Sequence, residues 1–85
     1  MTYKILHVVW LDSEAKNDWT PIEDISEELD FTHSVGMLIQ ETESFLTLAL
    51  SVDPDTESAN CFKKIPRSCI ERVRVLCRIS MTMKK

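Results

Sequence analysis

The chain has 85 residues, of which 44% are hydrophobic and 28% charged, and its formal net charge is −4. This length allows one small domain, residues 1–85, and the composition is that of a globular rather than a disordered protein. The single glycine, Gly36, excludes phosphate-binding loops and nucleophile elbows, because each needs several glycines.

The charges of the chain are sorted by position along it. Residues 1–60 carry thirteen Asp or Glu and two Lys, a net charge of −11, whereas residues 61–85 carry eight Lys or Arg and one Glu, a net charge of +7. Such asymmetry has two explanations. The basic C-terminal quarter binds an anionic partner, or it attracts the acidic part of the same chain within the fold. The sequence leaves both explanations open.

The sequence predicts a cytoplasmic protein with no membrane contact. No apolar run approaches the roughly 20 residues that cross a bilayer, and the N-terminus leads into a strand-like run without a cleavage site. The three cysteines, Cys61, Cys69 and Cys77, match neither a disulfide framework nor zinc-ligand spacing. We expect buried, reduced thiols, and no metal or cofactor.

The first predicted element is a strand over residues 3–11, which is rich in β-branched and aromatic residues and apolar on both faces. A buried helical segment is the alternative. After a loop, Thr20 resembles an N-cap, Pro21 fits the first helical position, and Glu23 completes a capping box. These signals predict an α-helix of about two turns near residues 21–29. Its expected apolar face consists of Ile22, Ile25 and Leu29.

The central part of the chain predicts a β-hairpin. Residues 31–40 and 45–52 alternate in polarity and flank the polar turn 41–44. Within the first strand, Gly36 indicates a bulge or a sharp bend. In the second strand, one face is expected to carry Leu46, Leu48, Leu50 and Val52.

The last third predicts two further strands. A short strand over residues 61–65 ends at Pro66, where one 3₁₀ turn fits. The final strand starts at Ile70, and its apolar residues recur at every second position from Val73 to Met83. A strand that long exceeds the height of a small barrel. We therefore expect residues 78–85 to form an extension that bends away, frays or pairs with another chain.

This order of elements predicts a mainly β fold. It is the succession found in a small five-stranded SH3-like or Sm-like barrel, here with one short α-helix after the first strand. Closure into a barrel removes most exposed strand edges, which protects a small antiparallel sheet from aggregation. A β-meander packed on one helix is the alternative.

Several short motifs resemble those of small uncharacterised proteins encoded by bacteriophages and prophages. In this chain the motifs are Trp10-Leu11-Asp12-Ser13, Trp19, Ser34-Val35-Gly36 and Ile65-Pro66. The chain departs from the pattern at one position. The pattern has a glycine immediately before the second tryptophan, whereas this chain has Asp18 there. The resemblance spans about residues 5–76 and implies a phage origin and a compact β fold, with no activity to transfer.

Two groups of residues are candidates for a binding site. The first contains two aromatic rings that could stack on a base, with nearby polar groups: Trp10, Asp12, Ser13 and Trp19. The alternative is that both rings cover the core and the polar groups shape a turn. The second group, with Lys63 and Lys64 beside it, is a basic patch suited to phosphate or carboxylate: Arg67, Arg72, Arg74 and Arg78. Pairing of these arginines with the acidic part of the chain is the alternative.

The sequence predicts no enzyme, since nothing brings His7, His33 and Cys69 together as a nucleophile and base. The leading hypothesis is a phage-derived binding protein that antagonises host machinery by binding a host protein or sequestering a small nucleotide signal. It is expected to be a homo-oligomer through its first or last strand. The alternatives are an Sm-like nucleic-acid-binding protein that uses the basic last strand, and a structural phage component.

Overall fold

The structure, a computed structural model, describes residues 1–12, 19–25 and 30–81. Its elements are five antiparallel strands and two single 3₁₀ turns. The strands are β1 (Thr2–Leu11), β2 (Phe31–Glu41), β3 (Phe45–Asp53), β4 (Ser58–Pro66) and β5 (Ile70–Ser80). They form one open sheet in the order β4-β3-β2-β1-β5, so that β4 and β5 are its two edges. The prediction of a mainly β fold is confirmed.

The first strand lies inside the sheet, between β2 and β5. Its alternate residues Leu6, Val8 and Trp10 are buried on one face of the sheet, which we call the inner face. Val9 is also buried, on the opposite or outer face. The prediction of a strand here is confirmed, with the core on its inner face and a hydrogen-bonded neighbour on each edge.

The core lies on the inner face and joins strands that are not neighbours in the sheet. The six buried residues in mutual contact come from β1, β3 and β4, and they are Leu6, Val8, Trp10, Leu46, Leu48 and Ile65. Because β2 separates β1 from β3, these side chains can meet only if the sheet curls over its inner face. Burial of this apolar surface is the main favourable contribution to folding.

Gly36 marks the point where β2 changes its partner. Residues 31–37 of β2 pair with β1, whereas the pairs with β3 begin at Met37. A Cβ atom at Gly36 would lie 3.0 Å from the carbonyl oxygen of Ala49 and 3.1 Å from Cβ of Leu48. Glycine therefore avoids a tight contact between β2 and the backbone of β3 at this point. The bulge falls later than predicted, between Leu38 and Gln40.

The α-helix predicted after the first strand is wrong for the described residues. Only Ile22–Asp24 form a 3₁₀ turn, its N-cap is Pro21 rather than Thr20, and no side chain caps it. Ile25 already has extended backbone, and residues 26–29 lie outside the described residues. Ile22 and Ile25 remain exposed, so no packed apolar face stabilises a longer helix here.

The final strand is the second correction. The predicted 3₁₀ turn before it is confirmed at Arg67–Cys69. The pairing with β1 shifts register between Val75 and Cys77, however, so Val73 and Val75 lie on the inner face and Cys77 lies on the outer face. The unbroken alternation predicted for this strand is therefore wrong. Within the described chain, β5 stays paired with β1 as far as Ser80.

Local burial on β3 and at the cysteines also differs from the predictions. On β3, four successive residues from Leu46 to Ala49 are buried, whereas Leu50 is exposed. Thr47 and Ala49 are small, and the residues opposite them in the sheet are longer: Gln40 and Lys64 for Thr47, and Met37 and Phe62 for Ala49. All three cysteines are free, as predicted, but Cys61 and Cys77 are exposed rather than buried.

Candidate functional site

Trp10 and Asp12, two members of the predicted aromatic cluster, lie at one end of the inner face. The indole Nε1 of Trp10 donates a hydrogen bond to Oγ of Ser34 at 3.0 Å. The Lys63 ammonium lies 5.3 Å from the centroid of the Trp10 ring and 4.0 Å from the Asp12 carboxylate. The tryptophan is therefore held by a hydrogen bond at its edge and a cation on its face.

These residues border an open pocket of about 250 Å³. Thr32, Leu48 and Cys61 are among the other residues that line it. Only 4% of the Trp10 surface is exposed, however, so its ring offers little area on which a base could stack. Trp19 is fully exposed and covers no core, and Ser13 lies outside the described residues. The structure thus keeps Trp10 and Asp12 together, leaves Trp19 exposed and adds Lys63 and Ser34 to the group.

Arg67 joins two turns of the protein. Its Nε donates to the carbonyl oxygen of Thr42 at 2.6 Å, and its Nη2 lies 3.0 Å from Glu41 Oε2. Its backbone N–H also donates to the carbonyl oxygen of Ser44. Every one of these contacts fastens the β4–β5 connection to the β2–β3 turn. Arg67 therefore follows the alternative in which arginines pair with acidic residues of the same chain.

The three arginines of β5 do not form one patch. Residues directly opposite each other in a sheet point to the same face. Arg74 lies opposite His7 and Arg72 lies opposite Val9, which places both arginines on the outer face. Arg78 lies opposite Lys4 and therefore points to the inner side. All three are exposed, and in the described parts of the chain no carboxylate lies within ion-pair distance of them.

The outer-face arginines lie beside two histidines, and we call this group the His–Arg cluster: His7, His33, Arg72 and Arg74. Nε2 of His7 lies 2.8 Å from Nδ1 of His33, and the two rings stack with centroids 5.1 Å apart. Nη2 of Arg74 lies 3.4 Å from Nδ1 of His7. Three strands supply the cluster, since β1 lies between β2 and β5.

These contacts fix the positions of the imidazole protons. A guanidinium group only donates hydrogen bonds, so Nδ1 of His7 must accept from Arg74 and carries no proton. The proton of His7 is then on Nε2, which donates to Nδ1 of His33. His33 in turn keeps its proton on Nε2. The cluster therefore presents two guanidinium groups and one further N–H donor, and all of them suit an anion.

The charge of the cluster also acts on His7 itself. Desolvation lowers the pKa of His7 from its usual 6.5, and the charges of Arg74, His33 and Arg72 lower it further. His7 is thus biased towards its neutral form while the cluster has no anion beside it.

Sequence reasoning identified the two arginines but missed the histidines as their partners. Both histidines stand at alternating positions within predicted strands, a pattern that is equally typical of surface residues. The missing information is the pairing register, which places Arg74 opposite His7 and His33 opposite Val9. Because the first strand is apolar on both faces, its sequence carries no signal of which way His7 points.

Comparisons with known proteins identify no relative of this chain: no protein family, curated protein or solved structure matches it. Residues 1–12, 19–25 and 30–81 hold no group of three or more His, Cys, Asp or Glu side chains that could bind a metal ion. None of the helical turns in the same residues has the length and apolar character that a membrane crossing requires.

Proposed function

We propose that this chain is a non-enzymatic, phage-derived binding protein that acts in the cytoplasm of the host bacterium and antagonises host machinery. Its ligand is anionic, and sequestration of a small nucleotide signal is the form of this function that the geometry favours. One observation carries the proposal: Arg72 and Arg74 project from the outer face beside two histidines, without a carboxylate partner in the described chain.

The size of the His–Arg cluster favours a small anion over an acidic host protein. Arg72 and Arg74 are two residues apart on β5, a separation of about 7 Å along the strand. Two guanidinium groups at that distance suit a phosphate group or a pair of phosphates. A protein partner would need a surface several times larger, of about 800 Å² on each side.

The predicted alternative is an Sm-like nucleic-acid-binding protein. Such a protein needs a continuous basic surface that follows the phosphate backbone of the bound nucleic acid. In this chain Arg67 is fastened to the β2–β3 turn, and Arg78 points away from Arg72 and Arg74. The remaining basic surface is therefore short, and the acidic isoelectric point of the whole chain also argues against general binding to nucleic acid.

The proposal includes a small SH3-like or Sm-like barrel as the architecture. Three features support it: the order β4-β3-β2-β1-β5, the 3₁₀ turn between β4 and β5, and the core shared by β1, β3 and β4. It also includes a homo-oligomer. Because β1 has a hydrogen-bonded neighbour on each side, β5 is the one of the two predicted strands with an open edge for a second copy.

The test is purification from bacteria without denaturation, followed by mass spectrometry of whatever small anions and proteins are retained. We expect a phosphorylated small molecule that is released by high salt, because charge-assisted contacts weaken as salt rises. The matched control is the same purification of the Arg72→Glu, Arg74→Glu double variant, which should retain none. Recovery of neither a nucleotide nor a host protein from the unaltered chain would contradict the proposal.

A further inference from the structure

The outer face of the sheet carries two kinds of surface side by side. The His–Arg cluster occupies β1, β5 and the beginning of β2, where His33 is the third residue. On β2, His33 is flanked at alternate positions by Phe31 and Val35, which are both exposed apolar residues on the same face. A cationic surface that adjoins an exposed aromatic ring suits a ligand with a charged end and a flat end.

We propose that this outer face is a nucleotide-binding site, in which the His–Arg cluster binds the phosphate and Phe31 and Val35 contact the base. The inference rests on the proposed function and assigns its site and ligand class. Neighbouring strands are about 4.8 Å apart, so β5 and β2 are separated by about 10 Å across β1. A mononucleotide, which has its phosphate at one end and its base at the other, bridges such a distance.

The contacts within the cluster favour an anion over a metal ion. The lone pairs that could bind a metal are Nδ1 of His7 and Nδ1 of His33, and each already accepts a hydrogen bond from a neighbour in the cluster. The two adjacent guanidinium groups would also repel a cation. The guanidinium N–H groups other than the one that Arg74 donates to His7, together with Nε2–H of His33, are instead unused donors that a phosphate oxygen can accept from.

Binding of phosphate at this site is coupled to protonation. The groups that face His7 are Arg72 and Arg74 from β5 and His33 from β2, with Cys77 farther along the same face and Glu71 next to Arg72 on β5. A bound phosphate offsets the two guanidinium charges that disfavour a proton on His7. His7 therefore binds a proton more readily in the complex, and the affinity for phosphate rises as the pH falls.

The experiment is isothermal titration of the full chain with adenosine 5′-diphosphate, pyrophosphate and adenosine. We expect the diphosphate to bind, pyrophosphate to compete with it, and adenosine to bind far more weakly. Arg74→Met should lower the affinity about ten-fold to a hundred-fold, which is the effect of losing one charged hydrogen-bonding group. The matched control is Arg78→Met on the same strand, which should change the affinity less than about three-fold because that side chain points to the opposite face.

The same titration tests the base contact and the coupling to protons. Phe31→Ala should weaken diphosphate binding while leaving pyrophosphate binding unchanged. Lowering the pH from about 7.5 to about 5.5 should strengthen binding of 3′,5′-cyclic AMP, whose phosphodiester does not titrate in this interval. His7→Asn should reduce that pH dependence, and near-ultraviolet and amide NMR spectra will show whether each variant keeps its fold.

Four outcomes would overturn the inference. The first two are equal affinities for adenosine and its diphosphate, and equal losses of diphosphate affinity in Arg74→Met and Arg78→Met. The other two are an affinity for oligonucleotides that rises in proportion to their length, and binding of an acidic peptide in place of nucleotides. The proposed function fails separately. If native purification retains a phosphorylated molecule and Arg74→Met does not weaken its binding, the proposed function stands but the proposed site on the outer face is wrong. If nothing anionic is retained, the function itself is wrong.

Discussion

Nε2 of His7 and Nδ1 of His33 lie 2.8 Å apart across β1 and β2, and their rings stack at an interplanar angle of 19°. Since Arg74 contacts the other nitrogen of His7, a chain of hydrogen bonds runs from β5 through β1 to β2. The protonation of one ring thus depends on its neighbours in two other strands. The protonation of His7 is therefore a property of the three paired strands together and not of β1 alone.

The first prediction concerns the titration of His7. Desolvation and the charges of Arg74, His33 and Arg72 hold its pKa below 6.5. We expect an NMR titration of the Hε1 resonance of His7 to have its midpoint below that value, and Arg74→Met to raise it. Arg78→Met is the control and should leave the midpoint unchanged. A midpoint at or above 6.5 in the unaltered, ligand-free chain would contradict the effect ascribed here to desolvation and to the charges of the cluster.

The lowered pKa of His7 also determines how this residue changes the free energy of unfolding with pH. His7 binds its proton more weakly in the folded chain than in the unfolded chain, so the unfolded state holds more protons just below pH 6.5. This histidine therefore favours the folded state above that pH, and its contribution is lost as the pH falls. Urea unfolding of the unaltered chain and His7→Asn across this interval measures the difference, which should shrink at lower pH.

The second prediction tests the hydrogen bond between Trp10 and Ser34. Ser34→Ala leaves the nearly buried Nε1 of Trp10 without its acceptor, which should lower the free energy of unfolding by about 1–3 kcal/mol. Urea unfolding followed by tryptophan fluorescence measures this. Ser51→Ala, on the exposed part of β3, is the control and should change stability by less than about 0.5 kcal/mol. Equal effects of the two substitutions would show that Ser34 has no special role.

Much of the fold could be predicted from the sequence because its signals are local. Alternating polarity and the turn residues located β2 and β3, and Pro66 located the 3₁₀ turn before β5. The helix near residues 21–29 was predicted from caps and apolar spacing, but Ile22 and Ile25 meet no surface that would bury them in the described chain. Local signals predict a helix only where the tertiary structure supplies a partner.

The candidate site could be predicted only in part, because it depends on register. Arg72, Arg74 and Arg78 are alike in sequence, but the bulge between Val75 and Cys77 turns Arg78 to the other face. The partnership of Arg74 with His7 joins residues 67 positions apart. No pattern within either strand encodes the alignment of one strand with the other.

The third prediction tests the close approach between Gly36 and β3. Gly36→Ala places a Cβ atom 3.0 Å from a backbone oxygen of β3, which cannot move without shifting that strand. We expect a loss of about 1–3 kcal/mol in stability, the usual cost of overpacking, and a larger loss for Gly36→Val. Thermal unfolding by circular dichroism measures both variants. An unchanged melting temperature for Gly36→Ala would show that β3 does not approach β2 this closely.

The fourth prediction concerns the link that Arg67 makes between two turns. Arg67→Met removes the hydrogen bond to Thr42 and the ion pair with Glu41, and should lower stability by about 1 kcal/mol. Glu41→Gln should cost less than about 0.5 kcal/mol, because the ion pair is exposed while the bond to the backbone remains. Urea unfolding measures the free energy of unfolding of both variants, with Arg78→Met as the control for loss of an exposed arginine. If Glu41→Gln matched Arg67→Met, the ion pair rather than the backbone contact would hold the turns together.

Binding of a nucleotide phosphate to the outer face is tested most directly by a ¹H–¹⁵N NMR titration with adenosine 5′-diphosphate. We expect the largest shifts to fall on the His–Arg cluster and on Phe31, with small shifts around Trp10 and Lys63. Shifts centred on the Trp10 pocket, or none at saturating nucleotide, would contradict this expectation.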